Sequence, residues 1–250
     1  MSPDSGCLNR LGAGVEAPQV DPQEKIDQMA QFNTDFTRMP GDLLAAFASQ
    51  ETATVYEASD RMGAMSHRMR PIGPGFKLCG SALTVRCQAA DNLTLHAAIA
   101  LAQPGDVIVA DVGEALEAGY WGEVTTVAAQ SRGVGGLVIN GGVRDVAAIR
   151  ARGFPIFSAS ISMKATVKAT PGFINHPILC GGVLVRPGDL VLGDDDGVVV
   201  IAQEKAASVL AGAQARMEKE AEVMDRLQNG ELTLDLLGFR DILAERGIHL

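Results

Sequence analysis

An arginine and an aspartate stand side by side at the end of an apolar stretch, in the segment GLVINGGVRDVAAI of residues 136–149. Arg144 can bind a carboxylate through a planar fork of N–H donors, and Asp145 offers the oxygen ligands that hard divalent cations prefer. Gly141 and Gly142 precede the pair and leave the backbone open to a ligand. The same residues also fit a simpler interpretation, in which Asp145 caps a helix and Arg144 is solvated.

A second carboxylate, Glu123, precedes the pair by twenty intervening residues. It lies in AGYWGEV, after a glycine-bearing loop that follows another predicted strand. Open α/β sheets bind ligands at the carboxyl ends of their strands, so we expect Glu123 and the Arg144-Asp145 pair to meet there. In such a site Arg144 would bind a substrate carboxylate, while Asp145 and Glu123 would hold a divalent cation directly or through water.

Alternating strand and helix patterns must position these residues. Short apolar runs between glycines and prolines predict strands, with Gly80 as a bulge in the first, at 77–87, 106–111, 135–140 and 154–160. Apolar positions at helical spacing predict intervening helices, one ending before Pro104, one over 123–132 and one over 144–153. This alternation implies right-handed crossovers and an α/β domain whose sheet is at least partly parallel.

The flanking segments differ in character. Residues 181–202 predict short antiparallel strands, with a tight hairpin turn at Asp196-Gly197. We predict three segments. Residues 1–39 form a polar arm with a short helix near 22–32, and residues 40–202 form a catalytic domain that starts with helices at 41–49 and 53–63. Residues 203–250 form a helical extension, with a long amphipathic helix over 203–229 and a shorter helix after it.

Composition narrows the function classes. The chain has 250 residues, 47% of them apolar and 20% charged, which is typical of a globular protein. Its net charge of −9 argues against nucleic acid as a partner. The sequence has neither a membrane-length apolar run nor a signal-peptide pattern at its start, so we expect a cytoplasmic protein. The four cysteines lack C-x-x-C spacing, and we interpret them as reduced thiols.

Other catalytic motifs find little support. The glycines of GVGGLVINGG precede their strand, unlike those of a dinucleotide-binding turn. DDDG at 194–197 fits a hairpin turn better than a calcium loop. The histidines lack zinc-site spacing, and no G-x-S-x-G elbow occurs. Lys164 and Lys168 could form a Schiff base only in a desolvating pocket, which the sequence does not indicate, so we expect solvated lysines.

The spacing of Glu123, twenty residues and Arg144-Asp145 resembles the acid-x20-Arg-Asp signature of the class II pyruvate aldolases of the RraA-like family. These enzymes act on 4-hydroxy-4-methyl-2-oxoglutarate or 4-carboxy-4-hydroxy-2-oxoadipate. The likeness extends over about residues 52–202 and includes the segments PGDVIVADVGE, GFPIFS and GGVLVRPGDLVLGDDDGVVVIA.

The resemblance implies an αββα-type sandwich related to the swivelling phosphohistidine-domain fold, assembled as trimers or hexamers with active sites between subunits. It implies a lyase that releases pyruvate from a 4-hydroxy-2-oxo acid and decarboxylates oxaloacetate as a side reaction. By position, Asp145 would ligate Mg²⁺, Mn²⁺ or another divalent cation, Glu123 would reach it through water, and Arg144 would bind the pyruvyl end. The amides that would hold the substrate carboxylate are those of Val112, Gly113, Glu114 and Ala115.

The chain departs from the family signature at one position. The full signature continues Arg-Asp-x-x-acid, whereas here RDVAA ends in Ala148. An acid at that position would orient the metal ligands and tune their affinity. Ala148 leaves open another metal-dependent decarboxylase or lyase of a related oxo acid. A non-enzymatic regulator of a ribonuclease also stays open, because the family's regulator resembles the aldolases at the Arg-Asp pair.

Overall fold

The computed structural model describes residues 31–249. Most of the predicted helix near 22–32 and most of the arm at 1–39 lie outside these residues, as does Cys7. No helix within 31–249 is long and apolar enough to cross a membrane.

The described chain alternates helices and strands through its middle and ends in helices. Its helices are α1 (Gly41–Phe47), α2 (Thr52–Ala58), α3 (Leu93–Leu101), α4 (Glu123–Ser131), α5 (Val146–Arg152), α6 (Ala206–Gln228), α7 (Thr233–Leu236) and α8 (Phe239–Ala244). Its strands are β1 (Arg70–Pro71), β2 (Leu78–Arg86), β3 (Val107–Asp111), β4 (Gly119–Trp121), β5 (Gly136–Val143), β6 (Ile156–Ile161), β7 (Phe173–Ile174), β8 (Ile178–Cys180), β9 (Val183–Val185), β10 (Leu190–Asp194) and β11 (Gly197–Ile201).

One large mixed sheet organises the fold, with strand order β1-β6-β5-β3-β2-β10-β11. Strands β2, β3, β5 and β6 run parallel, as the alternation of strands and helices predicts. Strands β10 and β11 extend the sheet as an antiparallel hairpin beside β2. Strand β4 pairs with the end of β5, and β8 and β9 form a separate two-stranded sheet. The α/β fold class is confirmed.

Both faces of the central sheet are covered, because successive side chains of a strand point to opposite faces. On β3, Ile108 and Ala110 join a core formed with α3, α4 and α5. Val107 and Val109 join a second core with the small β8–β9 sheet. A third core lies between the β10–β11 hairpin and the helices α1, α2 and α6.

The structure corrects two predictions about glycines. Gly80 is not a bulge, because it pairs in regular register with Val191. A β-carbon at this position would lie 2.3 Å from the carbonyl oxygen of Gly105, so Gly80 permits a close backbone approach. The hairpin turn between β10 and β11 consists of Asp195-Asp196, and Gly197 is the first residue of β11.

Two helices are shorter than predicted. Helix α2 ends at Ala58 rather than near residue 63, since Asp60 and Arg61 adopt positive φ angles that break the helix. The predicted helix over 203–229 starts as a 3₁₀ turn, Gln203–Lys205, and becomes α-helical only in α6.

Candidate active site

Arg144 and Asp145 link the end of β5 to the start of α5. The backbone amide of Arg144 donates to the carbonyl oxygen of Trp121 at 2.9 Å, which ties the end of β5 to the end of β4. Asp145 then turns the chain with φ of 58° and ψ of 31°, and α5 begins at Val146. Helix α4 begins just after β4, so the N-termini of α4 and α5 lie next to each other.

The carboxylate of Asp145 caps the neighbouring helix instead of its own. Its Oδ2 atom accepts a hydrogen bond from the backbone amide of Glu123, the first residue of α4, at 3.0 Å. Its side chain makes no capping hydrogen bond to α5. The simpler interpretation of Asp145 as the cap of its own helix is therefore wrong, and the same contact brings Glu123 to the Arg144-Asp145 pair.

Gly122 makes this contact sterically possible. A β-carbon at this position would lie 2.5 Å from Oδ2 of Asp145 and 3.2 Å from both Cγ and Nε of Arg144. A side chain there would displace the carboxylate. The sequence contained a signal for this residue, a glycine directly before Glu123 in WGEV, but its role depends on a contact between separate elements.

Arg144 and Asp145 remain accessible to a ligand. Their side chains are 46% and 45% exposed, and Nε of Arg144 lies 3.8 Å from Oδ2 of Asp145. A separation this long leaves the guanidinium N–H groups free to bind an anion, and an exposed pair of this kind contributes little to stability.

Glu123 has a second partner that sequence reasoning missed. Its Oε1 atom accepts hydrogen bonds from Nε and Nη2 of Arg152, at 2.9 and 2.7 Å. Arg152 is the last residue of α5, so this ion pair joins the start of α4 to the end of α5. The pairing depends on the packing of the two helices, and no local pattern indicates it.

In the loop after β3, two of the four backbone amides that were predicted to bind a substrate carboxylate already donate hydrogen bonds within the protein. The amide of Val112 donates to Oδ1 of Asn140 at 2.8 Å, and the amide of Gly113 donates to Oδ1 of Asp111 at 2.9 Å. Of the four predicted amides, only those of Glu114 and Ala115 make no hydrogen bond within residues 31–249. Carboxylate binding by this loop stays a prediction.

A nearer set of amides lies at the start of α4, which sequence reasoning did not consider. The first intrahelical hydrogen bond of α4 runs from the amide of Thr126 to the carbonyl of Gly122. The amides of Val124 and Thr125 are therefore first-turn donors, which a helix leaves without internal acceptors. Both residues follow Glu123 directly, and their N–H groups point toward the N-terminus of α4, the end of a helix that favours negative charge.

The carboxylates of the site fit a hard cation held largely by water. Within residues 31–249, no group of three or more histidine, cysteine, aspartate or glutamate side chains could enclose a metal ion. Mg²⁺ commonly binds proteins through only one or two carboxylates and keeps several waters. Asp145 and Glu123 supply that number, while the half-buried Ala148 supplies none.

Lys164 is paired and three of the cysteines are shielded or buried, whereas Lys168 is exposed, as the sequence predicts. The ammonium of Lys164 donates to the carboxylate of Glu117, which lowers the pKa of Glu117. Burial raises the pKa of the Cys87 and Cys180 thiols to about 12 and that of Cys79 to about 11, so these cysteines are protonated and unreactive at neutral pH.

The comparisons with known proteins decide the family. The Aldolase/RraA model of the RraA-like family matches residues 52–200. The chain belongs to the RraA-like family. It is 34% identical over 208 residues to a Halalkalibacterium halodurans protein named "Putative 4-hydroxy-4-methyl-2-oxoglutarate aldolase", covering 83% of this chain and 96% of that protein.

Two solved structures share the fold. A protein from Streptomyces coelicolor, described as an unusual member of the RNase ES inhibitor RraA family, has a TM-score of 0.68 and 27% identity over 77% of this chain and 99% of its own. An uncharacterized Pseudomonas syringae protein also has a TM-score of 0.68, with 26% identity over 79% of this chain and 97% of its own. The predicted family resemblance is thereby confirmed.

Proposed function

We propose that this protein is a divalent-metal-dependent lyase that cleaves a 4-hydroxy-2-oxo acid to pyruvate and a second oxo compound. One observation carries the proposal: the Arg144-Asp145 pair before α5 meets Glu123, the first residue of α4, at the adjoining N-termini of the two helices. The name of the Halalkalibacterium halodurans relative supports the same reaction class and a substrate like 4-hydroxy-4-methyl-2-oxoglutarate.

Substrate binding rests on the charges of the site. The exposed guanidinium of Arg144 forms a fork that matches a carboxylate or the adjacent 2-oxo group of the pyruvyl end. The first-turn amides of Val124 and Thr125, or the loop amides of Glu114 and Ala115, donate to the remaining carboxylate oxygens. The anionic substrate therefore lies between the guanidinium of Arg144 and these amide donors.

Bond cleavage needs a proton acceptor and an acceptor of negative charge. The 4-hydroxyl proton moves through a water molecule to Oε2 of Glu123, which no donor within residues 31–249 occupies. The C3–C4 bond then breaks, the hydroxyl-bearing carbon becomes a carbonyl, and the bonding electrons form the enolate of pyruvate. Arg144 stabilises that enolate by charge until C3 is protonated.

Asp145, with Glu123 through water, would hold the cation. When bound, a divalent cation supplies Lewis-acid polarisation of the 2-oxo group. Loss of CO₂ from oxaloacetate forms the same pyruvate enolate, so the same residues support decarboxylation as a side reaction.

A coupled assay of pyruvate release tests the proposal. The panel contains several 4-hydroxy-2-oxo acids and oxaloacetate, each with Mg²⁺, with Mn²⁺ and with EDTA. We expect EDTA and Asp145→Ala each to lower the rate by at least about a hundred-fold. Asp35→Ala, which removes an exposed carboxylate far from the site in sequence, is the matched control. If EDTA and Asp145→Ala both leave the rate of pyruvate release unchanged, the proposal is wrong.

The likeness to the Streptomyces coelicolor structure favours a second candidate, a non-enzymatic regulator of a ribonuclease. Recovery of ribonuclease E or a helicase in a pull-down, together with no turnover of any oxo acid in the panel, would support this candidate over the lyase. The trimer or hexamer implied by the family is part of the lyase proposal, and sedimentation equilibrium measures it directly.

A further inference from the structure

A cavity of about 420 Å³ lies beside the sheet but has neither Arg144, Asp145 nor Glu123 among its lining residues. Its volume falls in the range of small-molecule sites. Arg86, Asp111 and Asn140 form one wall. They are the last residue of β2, the last residue of β3 and a residue of β5.

These three side chains form a row across three neighbouring parallel strands. Arg86 and Asp111 are direct register partners, and Asn140 follows the pair Ala110 and Ile139. Strand alternation places the row on the face that packs against β8 and β9, whereas α4 and α5 cover the opposite face. The cavity therefore lies at the carboxyl ends of the strands, where open α/β sheets bind ligands.

The central residue of the row is Asp111, a buried carboxylate whose two oxygens both accept hydrogen bonds. Oδ1 of Asp111 accepts hydrogen bonds from Nδ2 of Asn140 at 2.8 Å and from the amide of Gly113 at 2.9 Å. Its Oδ2 accepts from Nη1 of Arg86. Asp111 is only 3% exposed while Arg86 is 49% exposed, so the carboxylate orients a guanidinium whose other N–H groups stay accessible.

A second cation faces the same cavity. Arg68 is exposed and lies in the loop that a hydrogen bond from the Ser66 amide to the Gly181 carbonyl ties down at 2.7 Å. Two guanidinium groups and one carboxylate line the cavity, which leaves a net charge of +1. The rest of the lining includes apolar side chains, namely Met69, Leu116, Ala159 and Leu179.

We propose that this cavity, which we call the Arg86 cavity, binds a small organic carboxylate as a molecule separate from the substrate at Arg144. The guanidinium groups of Arg86 and Arg68 bind the carboxylate, and the apolar side chains contact its carbon chain. The apolar side chains favour a ligand with a carbon chain, which a small organic carboxylate has and inorganic phosphate lacks. The proposal does not depend on the lyase reaction.

Isothermal titration with succinate tests the Arg86 cavity without any need for turnover. The proteins compared are the wild type, Arg144→Gln, Arg68→Gln and Arg246→Gln. Arg68 is the informative position, because replacing Arg86 would leave the buried Asp111 unpaired and destabilise the fold. Arg246 is an exposed arginine of the C-terminal segment and serves as the matched loss of charge.

We expect saturable succinate binding in the wild type, in Arg144→Gln and in Arg246→Gln, and affinity at least about ten-fold weaker in Arg68→Gln. Binding lost in Arg144→Gln would assign succinate to the active site and overturn the proposal. Equal affinity in Arg68→Gln and Arg246→Gln, or no saturable binding at all, would also overturn it. Inorganic phosphate that binds more tightly than succinate would reject the carboxylate assignment. Because these are binding measurements, a failed pyruvate assay leaves their outcome unchanged.

Discussion

Oδ2 of Asp145 accepts the backbone amide hydrogen of Glu123 at 3.0 Å, so the aspartate that precedes α5 caps α4. This one contact holds the carboxylate of Asp145 against the first residue of α4, which carries the second carboxylate of the candidate site. A carboxylate at a helix N-terminus is stabilised by the unpaired amides there and by the helix dipole.

Gly122→Ala should lower pyruvate release and reduce the free energy of unfolding by about 0.5–2 kcal/mol, because the displaced Asp145 carboxylate no longer caps α4. The new β-carbon would lie 2.5 Å from Oδ2 of Asp145, and this exposed carboxylate can rotate away from it. A small displacement of a catalytic group costs about ten- to a hundred-fold in rate. The measurements are kcat/KM and urea unfolding. Gly41→Ala is the control, because a β-carbon there meets nothing within 4 Å. Equal rates in the two variants would contradict the steric role of Gly122.

Arg152→Gln should reduce the Mg²⁺ concentration needed for half-maximal activity. The guanidinium of Arg152 occupies Oε1 of Glu123 and repels a cation nearby, so its removal frees the carboxylate. We expect a shift of roughly two- to five-fold, the range that fits a partly exposed ion pair. Glu123→Gln should weaken Mg²⁺ binding, and because Glu123 is also the proposed proton acceptor, titration calorimetry without turnover measures this variant.

The control for this pair is Arg246→Gln, which removes an exposed arginine from the C-terminal segment. The free energy of unfolding of Arg152→Gln should change by less than about 1 kcal/mol. If Arg152→Gln and Glu123→Gln shift the affinity for Mg²⁺ in the same direction, Arg152 does not compete with the cation for Glu123.

The parallel core could be predicted because its signals are local. Apolar runs at β3 and β5, with helical periodicity between them, imply crossovers that place strand ends at one edge. The separate β8–β9 sheet could not be predicted in the same way. Alternation identifies which residues face a core, but it does not show whether a short strand joins the main sheet or packs across it.

In the candidate site, too, local signals predicted some features, while others depend on the packing of separate elements. The types and spacing of Glu123, Arg144 and Asp145 identified the residues that the structure brings together. The capping contact escaped prediction, because capping patterns relate a residue only to its own helix. The positive φ of Asp145 turns its side chain to α4, and only the pairing of β4 with β5 brings that helix within reach.

The stability of the loop before α3 should depend on pH through Asp91. This buried carboxylate accepts hydrogen bonds from the amides of Leu93, Ala169 and Thr170 at 2.7–2.8 Å. Burial alone would raise the pKa of Asp91, but the three amides outweigh it and lower that pKa below its ordinary value. A lowered pKa stabilises the fold above the unfolded value of about 3.9, and this contribution is lost as the pH falls through the folded-state pKa.

Asp91→Asn isolates this contribution, because the amide keeps one acceptor oxygen and does not titrate. Urea unfolding of the wild type and the variant, between pH 7 and pH 3, should show a difference in free energy that shrinks below about pH 4. A difference that is constant over the whole range would show that the charge of Asp91 contributes nothing.

Ala148→Glu should strengthen metal binding, because Ala148 stands where the family signature has an acid. Position 148 is three residues after Asp145, and residues at this spacing share one face of a helix. The added carboxylate should orient the metal-binding groups and lower the dissociation constant for Mn²⁺ by about ten-fold or more. Titration calorimetry with Mn²⁺ measures this without substrate. Ala147→Glu adds the same charge to the exposed neighbouring position and separates this effect from general attraction. Equal Mn²⁺ affinity in the two variants would mean that position 148 does not face the metal, and that the departure from the signature leaves the site unaffected.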